Sequence, residues 1–361
     1  MIPYVSPGGN NTFRLESFPH QVLVGTSAGL FLLENLGRPD DWRISSQWLS
    51  ECHIHAILIE PSSNTLFAGI QKGGILASND LGTSWEKRER GLTHGDVYTL
   101  NSVVIDGCPL VYAGTEPPHL FVSEDLGRMW TDLEGLRSVP SAANWHYPQP
   151  PHIGHVKQIV FEPGSPRTVY ACIEQGALLR SRDGGTSWEE LHGFYEDVHR
   201  LKILDSDPGK MYLACGDGLY RSQDGGVDWE KLTTRSSRVG YPDGLLVHPA
   251  NEQLVFISGA ATIPPTWAKH GGANSSVGRS RDGGRSWEFL DAGFQPIFTG
   301  NIEALTMATW GSSYCLFAAT TQGDVLFSGD EGDHWTQIVS RLPPIAKRKH
   351  HLYLKSIGPV A

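Results

Sequence analysis

The sequence is short of cysteine and of long apolar runs, and it lacks the features of an export signal. Its five cysteines are an odd number without a Cys-x-x-Cys pair, which does not favour a disulfide-bonded secreted protein. No apolar run approaches the length of a membrane span. The first residues, MIPYVSPGGNNTF, have neither the basic start nor the apolar core of a signal peptide. We therefore expect a cytoplasmic protein without membrane contact.

The chain also lacks an excess of basic charge. It has 29 lysines and arginines against 39 aspartates and glutamates, a net charge of −10, which disfavours nonspecific binding to nucleic acid. The one basic cluster, at residues 347–351, is interpreted as a solvated terminal segment. The composition therefore gives no support for a nucleic-acid partner.

The most informative pattern present is Ser-x-Asp-x-Gly-x-x-Trp, which occurs six times. The copies are Ser78–Trp85, Ser123–Trp130, Ser181–Trp188, Ser222–Trp229, Ser280–Trp287 and Ser328–Trp335. Their first residues are 41 to 58 positions apart. Recurrence at such a period is typical of a repeat architecture, in which neighbouring modules bury one another's faces.

Each copy lies between short segments with the alternation of β-strands. Around the third copy the chain reads TVYACIE, GALLRS, DGGT and SWEEL, which predicts strand, strand, tight turn and strand. The aspartate can accept hydrogen bonds from its own turn, the glycine can adopt positive φ, and the tryptophan is a large apolar plug. The repeat therefore predicts an all-β fold.

These motifs resemble the Asp-box (BNR) repeats of sialidase-like β-propellers. The same box occurs in sialidases, xyloglucanases, sortilin-type receptors and photosystem II assembly factors, so it is specific for the fold and not for a function. The resemblance covers about residues 65–340. Segments such as PPHIGHVKQIVFEP and EQGALLRSRDGGTSW also resemble a bacterial group of uncharacterised WD40/YVTN/BNR-like repeat proteins.

The resemblance implies a single domain, residues 1–361, folded as a seven-bladed β-propeller with Asp-box turns in six blades. The first blade is degenerate: VLVGTSAGLFLLE is its strand pair, and DDWRISSQW replaces the box. The alternating segment His351–Ile357 is predicted to pair with blade 1 and close the ring, which would remove an exposed sheet edge.

The propeller resemblance also sorts the loops onto two faces. The box turns belong to the bottom face, so their aspartates are interpreted as scaffold. The long segments Arg137–His155 and Ala260–Ser276 belong to the top face, and both contain tryptophan, histidine and paired prolines. Long aromatic loops on a rigid scaffold are typical of a binding site. The predicted substrate-binding residues are Trp145, His146, Tyr147, Tyr241 and Trp267.

The inner strands can be aligned on their Glu-Pro ends. HIHAILIEP and HVKQIVFEP match, which places His53 over His155 and His55 over Lys157. The segment VHRLKIL then adds Asp197 and His199 at the same two positions. The other blades contribute Tyr241 and Asp243, Asn301 and Glu303, and Thr99 and Asn101. We expect these side chains at the upper mouth of the central channel, where His350 or His351 can join them from the closing segment.

Several imidazoles beside carboxylates are typical ligands of zinc, iron, manganese or copper. We predict a metal site formed by His53, His55, His155 and His199, with Asp243, Glu303 or Asp197 as a further ligand or catalytic base. The predicted function is a hydrolase or lyase acting on a small polar substrate. Two alternatives stay open: a non-catalytic binding or assembly scaffold that uses the same face, and a metal-free glycoside hydrolase or lyase.

Overall fold

The computed structural model describes residues 1–148, 150–294, 299–347 and 350–354. Seven β-sheets follow one another along the chain, and the fold is a seven-bladed β-propeller, as predicted. The helical segments of the described chain are all too short to cross a lipid bilayer.

Two short strands near the N-terminus are each added to a sheet, one to the first sheet and one to the last. Strand β1 (Tyr4–Val5) pairs in parallel with β3 (Gln21–Thr26) of the first sheet. Strand β2 (Thr12–Arg14) pairs in parallel with the first strand of the last sheet, Ile302–Trp310. Both sheets therefore gain an N-terminal strand at one edge.

The remaining strands follow in antiparallel order within each sheet. The first sheet continues with β4 (Gly29–Asn35) and β5 (Trp42–Trp48). The second sheet comprises β6 (Ile54–Ile59), β7 (Leu66–Ile70), β8 (Gly74–Ser78) and β9 (Glu86–Lys87), and the third comprises β10 (Asp96–Ile105), β11 (Cys108–Glu116), β12 (Leu120–Ser123) and β13 (Thr131–Asp132). The fourth sheet comprises β14 (His155–Glu162), β15 (Ser165–Glu174), β16 (Ala177–Ser181) and β17 (Glu189–Leu191). The fifth comprises β18 (Val198–Ile203), β19 (Met211–Cys215), β20 (Gly218–Ser222) and β21 (Glu230–Lys231). The sixth sheet comprises β22 (Tyr241–His248), β23 (Asn251–Ala260), β24 (Ser276–Ser280) and β25 (Glu288–Phe289). The seventh comprises β26 (Ile302–Trp310), β27 (Ser313–Thr320), β28 (Val325–Ser328) and β29 (Thr336–Val339), together with β2.

The two long segments predicted as loops are loops between strands. The first contains the 3-10 helices Glu134–Ser138 and Pro140–Asn144, and the second contains Pro264–Thr266 and Ala268–His270. A further 3-10 helix spans His350–Leu354.

The chain divides into two compact units with separate cores. One unit comprises Met1–His53, Gly216–Leu219 and Leu232–Ala361 as far as it is described, and the other comprises Ile54–Cys215 and Tyr220–Lys231. We call them the terminal unit and the middle unit. In the terminal unit, for example, Phe317 of the last sheet packs edge-on against Trp42 of the first sheet.

The six sequence repeats form one recurring hydrogen-bonded turn between the third and fourth strands of their sheets. In the third copy, the Ser181 hydroxyl donates to Asp183 at 2.7 Å, and the backbone N–H of Gly185 donates to the Ser181 oxygen at 2.7 Å. The Ser187 N–H donates to Asp183 at 2.9 Å, and Gly185 has a φ of 101°. The aspartates are thus part of the turn, as the sequence indicated.

The first strands of the six sheets from β6 to β26 each carry a β-bulge at an equivalent point. At each bulge the pairing advances two residues on the first strand and one on its partner, which leaves one residue outside the ladder. These residues are His55, Tyr98, Lys157, His199, Asp243 and Glu303. A bulge redirects a side chain, so the fold presents one selected residue at this point of each strand.

The predicted closing strand is wrong over its described part. Residues 351–354 of the segment His351–Ile357 lie in a 3-10 helix, and residues 355–357 lie outside the described residues. The edge of β3 that a closing strand would need is already paired with β1. The first blade has the predicted strand pair, β3 and β4. The segment that was predicted to stand in place of the box forms β5.

Candidate functional site

A cluster of three buried side chains in the middle unit has the composition of a metal site. The ligand atoms of Glu174, Asp197 and His199 all lie within 4.8 Å of one another. We call these three residues the Glu174 group. It is the only such cluster of three or more histidines, cysteines and acidic residues within the described part of the chain.

Neighbouring strands bring the Glu174 group together. Glu174 is the last residue of β15 and pairs with His155, the first residue of β14. Asp197 directly precedes β18, and His199 is the bulge residue of that strand. The Nε2 atom of His199 lies 3.2 Å from Asp197 and 3.7 Å from Glu174. The group therefore rests on strand ends and a bulge, not on a mobile loop.

Glu174 is also the partner of two further side chains. The Nε2 atom of His155 lies 2.6 Å from one carboxylate oxygen, and the Lys157 ammonium donates to the other at 2.9 Å. His155 and Lys157 belong to the same strand, in which Lys157 is the bulge residue. Two cationic or protonatable groups thus share one carboxylate.

All five of these residues are withdrawn from solvent. His199 is 0% exposed, Glu174 and His155 1%, Lys157 2% and Asp197 3%. Buried charges are tolerated when they are paired, because desolvation otherwise outweighs their attraction. The arrangement can therefore hold an ion or exchange protons, and it stays closed to a large substrate.

The structure separates His55 from this group. The ring of Tyr98 lies 4.4 Å from the His55 ring and 3.9 Å from the His155 ring, measured between centroids. The Nδ1 atom of His55 lies 3.6 Å from Asp96. Asp96 and Tyr98 thus occupy the two positions assigned to Thr99 and Asn101, so the strand alignment of this blade was wrong by three residues.

The aromatic residues of the first long loop differ in their positions. Tyr147 is buried, and its ring centroid lies 5.9 Å from that of His155. Trp145 is buried in the apolar core, and its indole N–H donates to Ser141 at 2.9 Å. His146 is exposed. Tyr147 is thus the predicted binding residue of this loop that lies beside His155.

A second buried charge network lies in the terminal unit. The Lys347 ammonium donates to Asp243 at 2.6 Å and lies 3.8 Å from Glu303. The Nδ1 atom of His350 lies 2.5 Å from Glu303, and Asn301 donates to Asp243 at 3.1 Å. We call these five residues the Lys347 network. Two of the three predicted catalytic carboxylates, Asp243 and Glu303, are therefore neighbours, and each is bound to the C-terminal segment.

The basic cluster at residues 347–351 is therefore not a solvated segment where it is described. Lys347 is 4% exposed and His350 2% exposed, since both turn inward onto carboxylates. His350 joins predicted site residues, as the sequence left open, while His351 is half-buried. Residues 348 and 349 lie outside the described residues.

Three further predicted residues belong to the terminal unit: Trp267, Tyr241 and His53. The ring centroid of Trp267 lies 6.0 Å from that of His350 and 6.2 Å from that of Tyr353. Tyr241 belongs to the same small apolar cluster as Trp267. The Nε2 atom of His53 lies 2.7 Å from the carbonyl oxygen of Ala346, so this histidine holds the C-terminal segment.

The three buried cysteines are core residues. Cys172, Cys215 and Cys315 are 0% exposed and belong to apolar clusters. Burial raises the pKa of the Cys172 thiol to about 12, although Arg200 and Lys157 act in the opposite direction. A thiol with such a pKa is not a nucleophile at neutral pH.

Comparison with known proteins identifies the fold. No protein family and no curated protein sequence matches the chain. A GH74 xyloglucanase from Xanthomonas campestris has a TM-score of 0.66 and 17% identity, covering 94% of this chain and 55% of that chain. An ancestral GH74 enzyme has a TM-score of 0.59 and 14% identity, covering 88% and 39%. A structure of YCF48 bound to a D1 peptide has a TM-score of 0.58 and 16% identity, covering 91% and 100%.

These likenesses show the propeller fold and nothing finer. The chain spans 55% or less of the two GH74 proteins, so their activity does not transfer with the fold. The propellers it resembles include both glycoside hydrolases and YCF48.

Proposed function

We propose that the chain is a metal-dependent hydrolase or lyase for a small polar substrate, with its metal held by the Glu174 group and His155. The observation that supports this most is the approach of the ligand atoms of Glu174, Asp197 and His199 to within 4.8 Å of one another. His155 adds a second imidazole, 2.6 Å from Glu174. Two imidazoles and two carboxylates suit zinc, iron, manganese or copper. Only His155 and His199 of the four predicted histidine ligands belong to this set.

The neighbouring residues fit this chemistry. A divalent ion bound there would acidify a water ligand or polarise a substrate oxygen. The Lys157 ammonium, 2.9 Å from Glu174, can hold an anionic substrate group or move a proton. Tyr98 and Tyr147 lie against His155, so aromatic rings border the proposed site on that side. The burial of the whole group favours a small substrate over a large one.

A binding scaffold is the second candidate, and the Lys157 contact favours it. Lys157 already neutralises Glu174 inside a fully buried cluster, which is what an internal ion-pair network requires. The likeness to YCF48 covers the full length of that chain, and YCF48 has been solved with a D1 peptide. On this hypothesis the Glu174 group stiffens the blades, and the long loops bind a protein segment.

A metal-free glycoside hydrolase has less support. The likeness to the xyloglucanase covers about half of that enzyme. The carboxylates Asp243 and Glu303 are bound by Lys347 and His350, so neither is open to a sugar. Such an enzyme needs two accessible carboxyl groups on either side of the scissile bond.

Elemental analysis of protein purified without a polyhistidine tag tests the metal proposal. We expect close to one transition-metal ion per chain, and its loss in Glu174→Gln and His199→Ala. A chain that carries no metal, and takes up none of the four metals on dialysis, would contradict the proposal.

Lys157→Met separates the two candidates. If the Glu174 group binds a metal, this variant removes a competing cation, so zinc binds more tightly and restores its stability. If the group is an internal ion pair, the variant loses about 3–5 kcal/mol of unfolding free energy, and added zinc restores none of it. Lys210→Met, at a half-exposed lysine paired with Asp207, is the matched control and should change neither property.

A further inference from the structure

We propose that the stacked imidazoles of His94 and His119 form a pH-sensitive clasp between two connections of the middle unit, closed at neutral pH and opened by mild acid. The two rings lie with their centroids 3.9 Å apart and their planes at 29°. His94 lies in the connection between β9 and β10, and His119 lies in the connection between β11 and β12. The stack therefore joins two connections that are distant in sequence.

Each connection also holds one backbone hydrogen bond beside its histidine. The N–H of Thr115 donates to the His119 carbonyl at 3.1 Å, and the N–H of Gly74 donates to the Gly95 carbonyl, one residue after His94, at 2.8 Å. Separation of the two imidazoles moves these carbonyls with their connections. The amides of Gly74 and Thr115 are therefore expected to report on the opening of the clasp.

The charges that face His119 already balance one another. The Nδ1 atom of His119 lies 2.8 Å from Asp132. Arg137 donates to both oxygens of the same carboxylate, at 2.9 and 3.0 Å. Since the guanidinium compensates the carboxylate, Asp132 does not have a full negative charge left to stabilise two imidazolium rings.

The charges near His94 do not favour a second positive ring either. Its Nδ1 atom lies 3.0 Å from the neutral hydroxyl of Thr93. The same connection carries one acidic and one basic residue, Glu89 and Arg90, and its backbone at Gly95 packs beside the turn that contains Lys72. The clasp therefore has no excess of negative charge on either side.

The direction of the pH effect follows from these surroundings. Burial lowers the pKa of His119, and Arg137 and His94 lower it further, against the opposing effect of Asp132. An imidazole released to solvent has a pKa near 6.5, so the open form binds the proton more tightly. The clasp is therefore at full strength above about pH 6.5 and weakens as the pH falls below it. A proton on each ring would place like charges in contact.

The clasp borders the buried imidazoles of the middle unit. Strand β10 begins at Asp96, two residues after His94, and Asp96 lies 3.6 Å from the Nδ1 atom of His55. Strand β11 ends at Glu116, which lies 3.7 Å from the Nδ1 atom of His155. Opening of the clasp would thus loosen the strand ends that meet both imidazoles. The inference goes beyond the proposed function, because it requires no metal.

Hydrogen exchange of the full-length chain at about pH 7.5 and about pH 5.5, corrected for the intrinsic pH dependence of exchange, tests the clasp. The readout is the exchange of the Gly74 and Thr115 amides. We expect opening to be about tenfold greater at the lower pH, since one histidine with a pKa near 6.5 takes up its proton when it is released.

The double variant His94→Phe/His119→Phe keeps two stacking rings and removes both titrating groups. Exchange at the two amides should then change by less than about twofold between the two pH values. His94→Phe alone keeps the contact of His119 with Asp132 and should give a smaller response than the parent chain. His192→Ala removes a histidine whose side chain is 78% exposed in the same unit, and it should respond as the parent chain does.

Circular dichroism checks that each variant is folded. Equal exchange of both amides at the two pH values in the parent chain would overturn the clasp, as would the full tenfold response in a folded double variant. If the double variant does not fold, His94→Phe decides, because a response equal to that of the parent chain would show that the stack does not sense pH.

Discussion

At the scale of single residues, both buried groups follow one pattern: a lysine compensates carboxylates that have been taken out of water. Lys157 binds Glu174 in the middle unit, and Lys347 binds Asp243 in the terminal unit. The methylene chain of lysine is apolar, so the side chain can cross the interior and bring its charged ammonium to a buried carboxylate. The structure thus couples every strand-borne carboxylate of the candidate sites to a basic partner.

Substitution of Lys347 by methionine should destabilise the protein strongly. The variant keeps the apolar stem and removes the charge, which leaves Asp243 and Glu303 buried with a weaker set of partners. Removal of one partner of a buried pair costs about 3–5 kcal/mol. Urea unfolding monitored by tryptophan fluorescence measures the difference.

Lys269→Met is the control for that experiment, because Lys269 is exposed in the second long loop. We expect its unfolding free energy to stay within about 0.5 kcal/mol of the parent chain. Equal stability of Lys347→Met and Lys269→Met would contradict the importance of the Lys347 network for the fold.

The sequence predicted part of the middle-unit group. Alignment of strand ends placed His155 and His199 on neighbouring strands, with Asp197 directly before the second of them. It missed Glu174, which ends a second strand and so lay outside an alignment of first strands; its place opposite His155 in the hairpin was the available signal. It also shifted the alignment of the strand that contains Tyr98 by three residues, because the segment VYTLNSVVID has no Glu-Pro end on which to align it.

At the scale of elements, the bulges decide which residues meet. Regular pairing would place alternate residues of a strand on one face, and the extra residue of a bulge changes that direction. His199 occupies such a bulge and meets Asp197, two positions earlier. Sequence alternation reveals which residues share a strand, but a bulge depends on the partner strand, so it could not be predicted from one strand.

The turns of the six repeats should respond to acid. In the third turn, the Ser187 hydroxyl and N–H bind the ionised Asp183 and lower its pKa to about 2. The pKa in the unfolded chain is near 3.9, so the folded value is the lower one. The contribution of this carboxylate to stability is therefore complete above about pH 4 and is lost as the pH falls through about 2.

Asp183→Asn tests this contribution. We expect a loss on the order of 1 kcal/mol at pH 7, because solvent screens an exposed carboxylate. The difference between the variant and the parent chain should shrink by pH 3. Urea unfolding at the two pH values measures it, with Asp40→Asn at an exposed position as the control. A difference that is independent of pH would contradict the assigned role of the charge.

At the scale of the whole molecule, the repeat predicted seven blades, but it could not show how the chain ends are held. The alternating pattern of His351–Ile357 suggested a strand, yet the segment before it is drawn inward by Lys347 and the edge of β3 is already occupied. The N-terminus provides that edge strand instead, from residues without a repeat motif. Competition for one edge involves segments far apart in the chain, which a local pattern does not reveal.

The N-terminal strands should therefore be necessary for the terminal unit to fold. Phe13 of β2 is 3% exposed, packs edge-on against Tyr4 with their ring centroids 4.6 Å apart, and pairs with Ala308 of β26. Phe13→Ala removes this packing and should cost about 3–5 kcal/mol of unfolding free energy. Arg14→Ala, the adjacent exposed residue on the other face of the same strand, should stay within about 0.5 kcal/mol of the parent chain. Chemical unfolding in which the two variants behave alike would show that β2 adds nothing to stability, and the last sheet would then have to hold its edge without it.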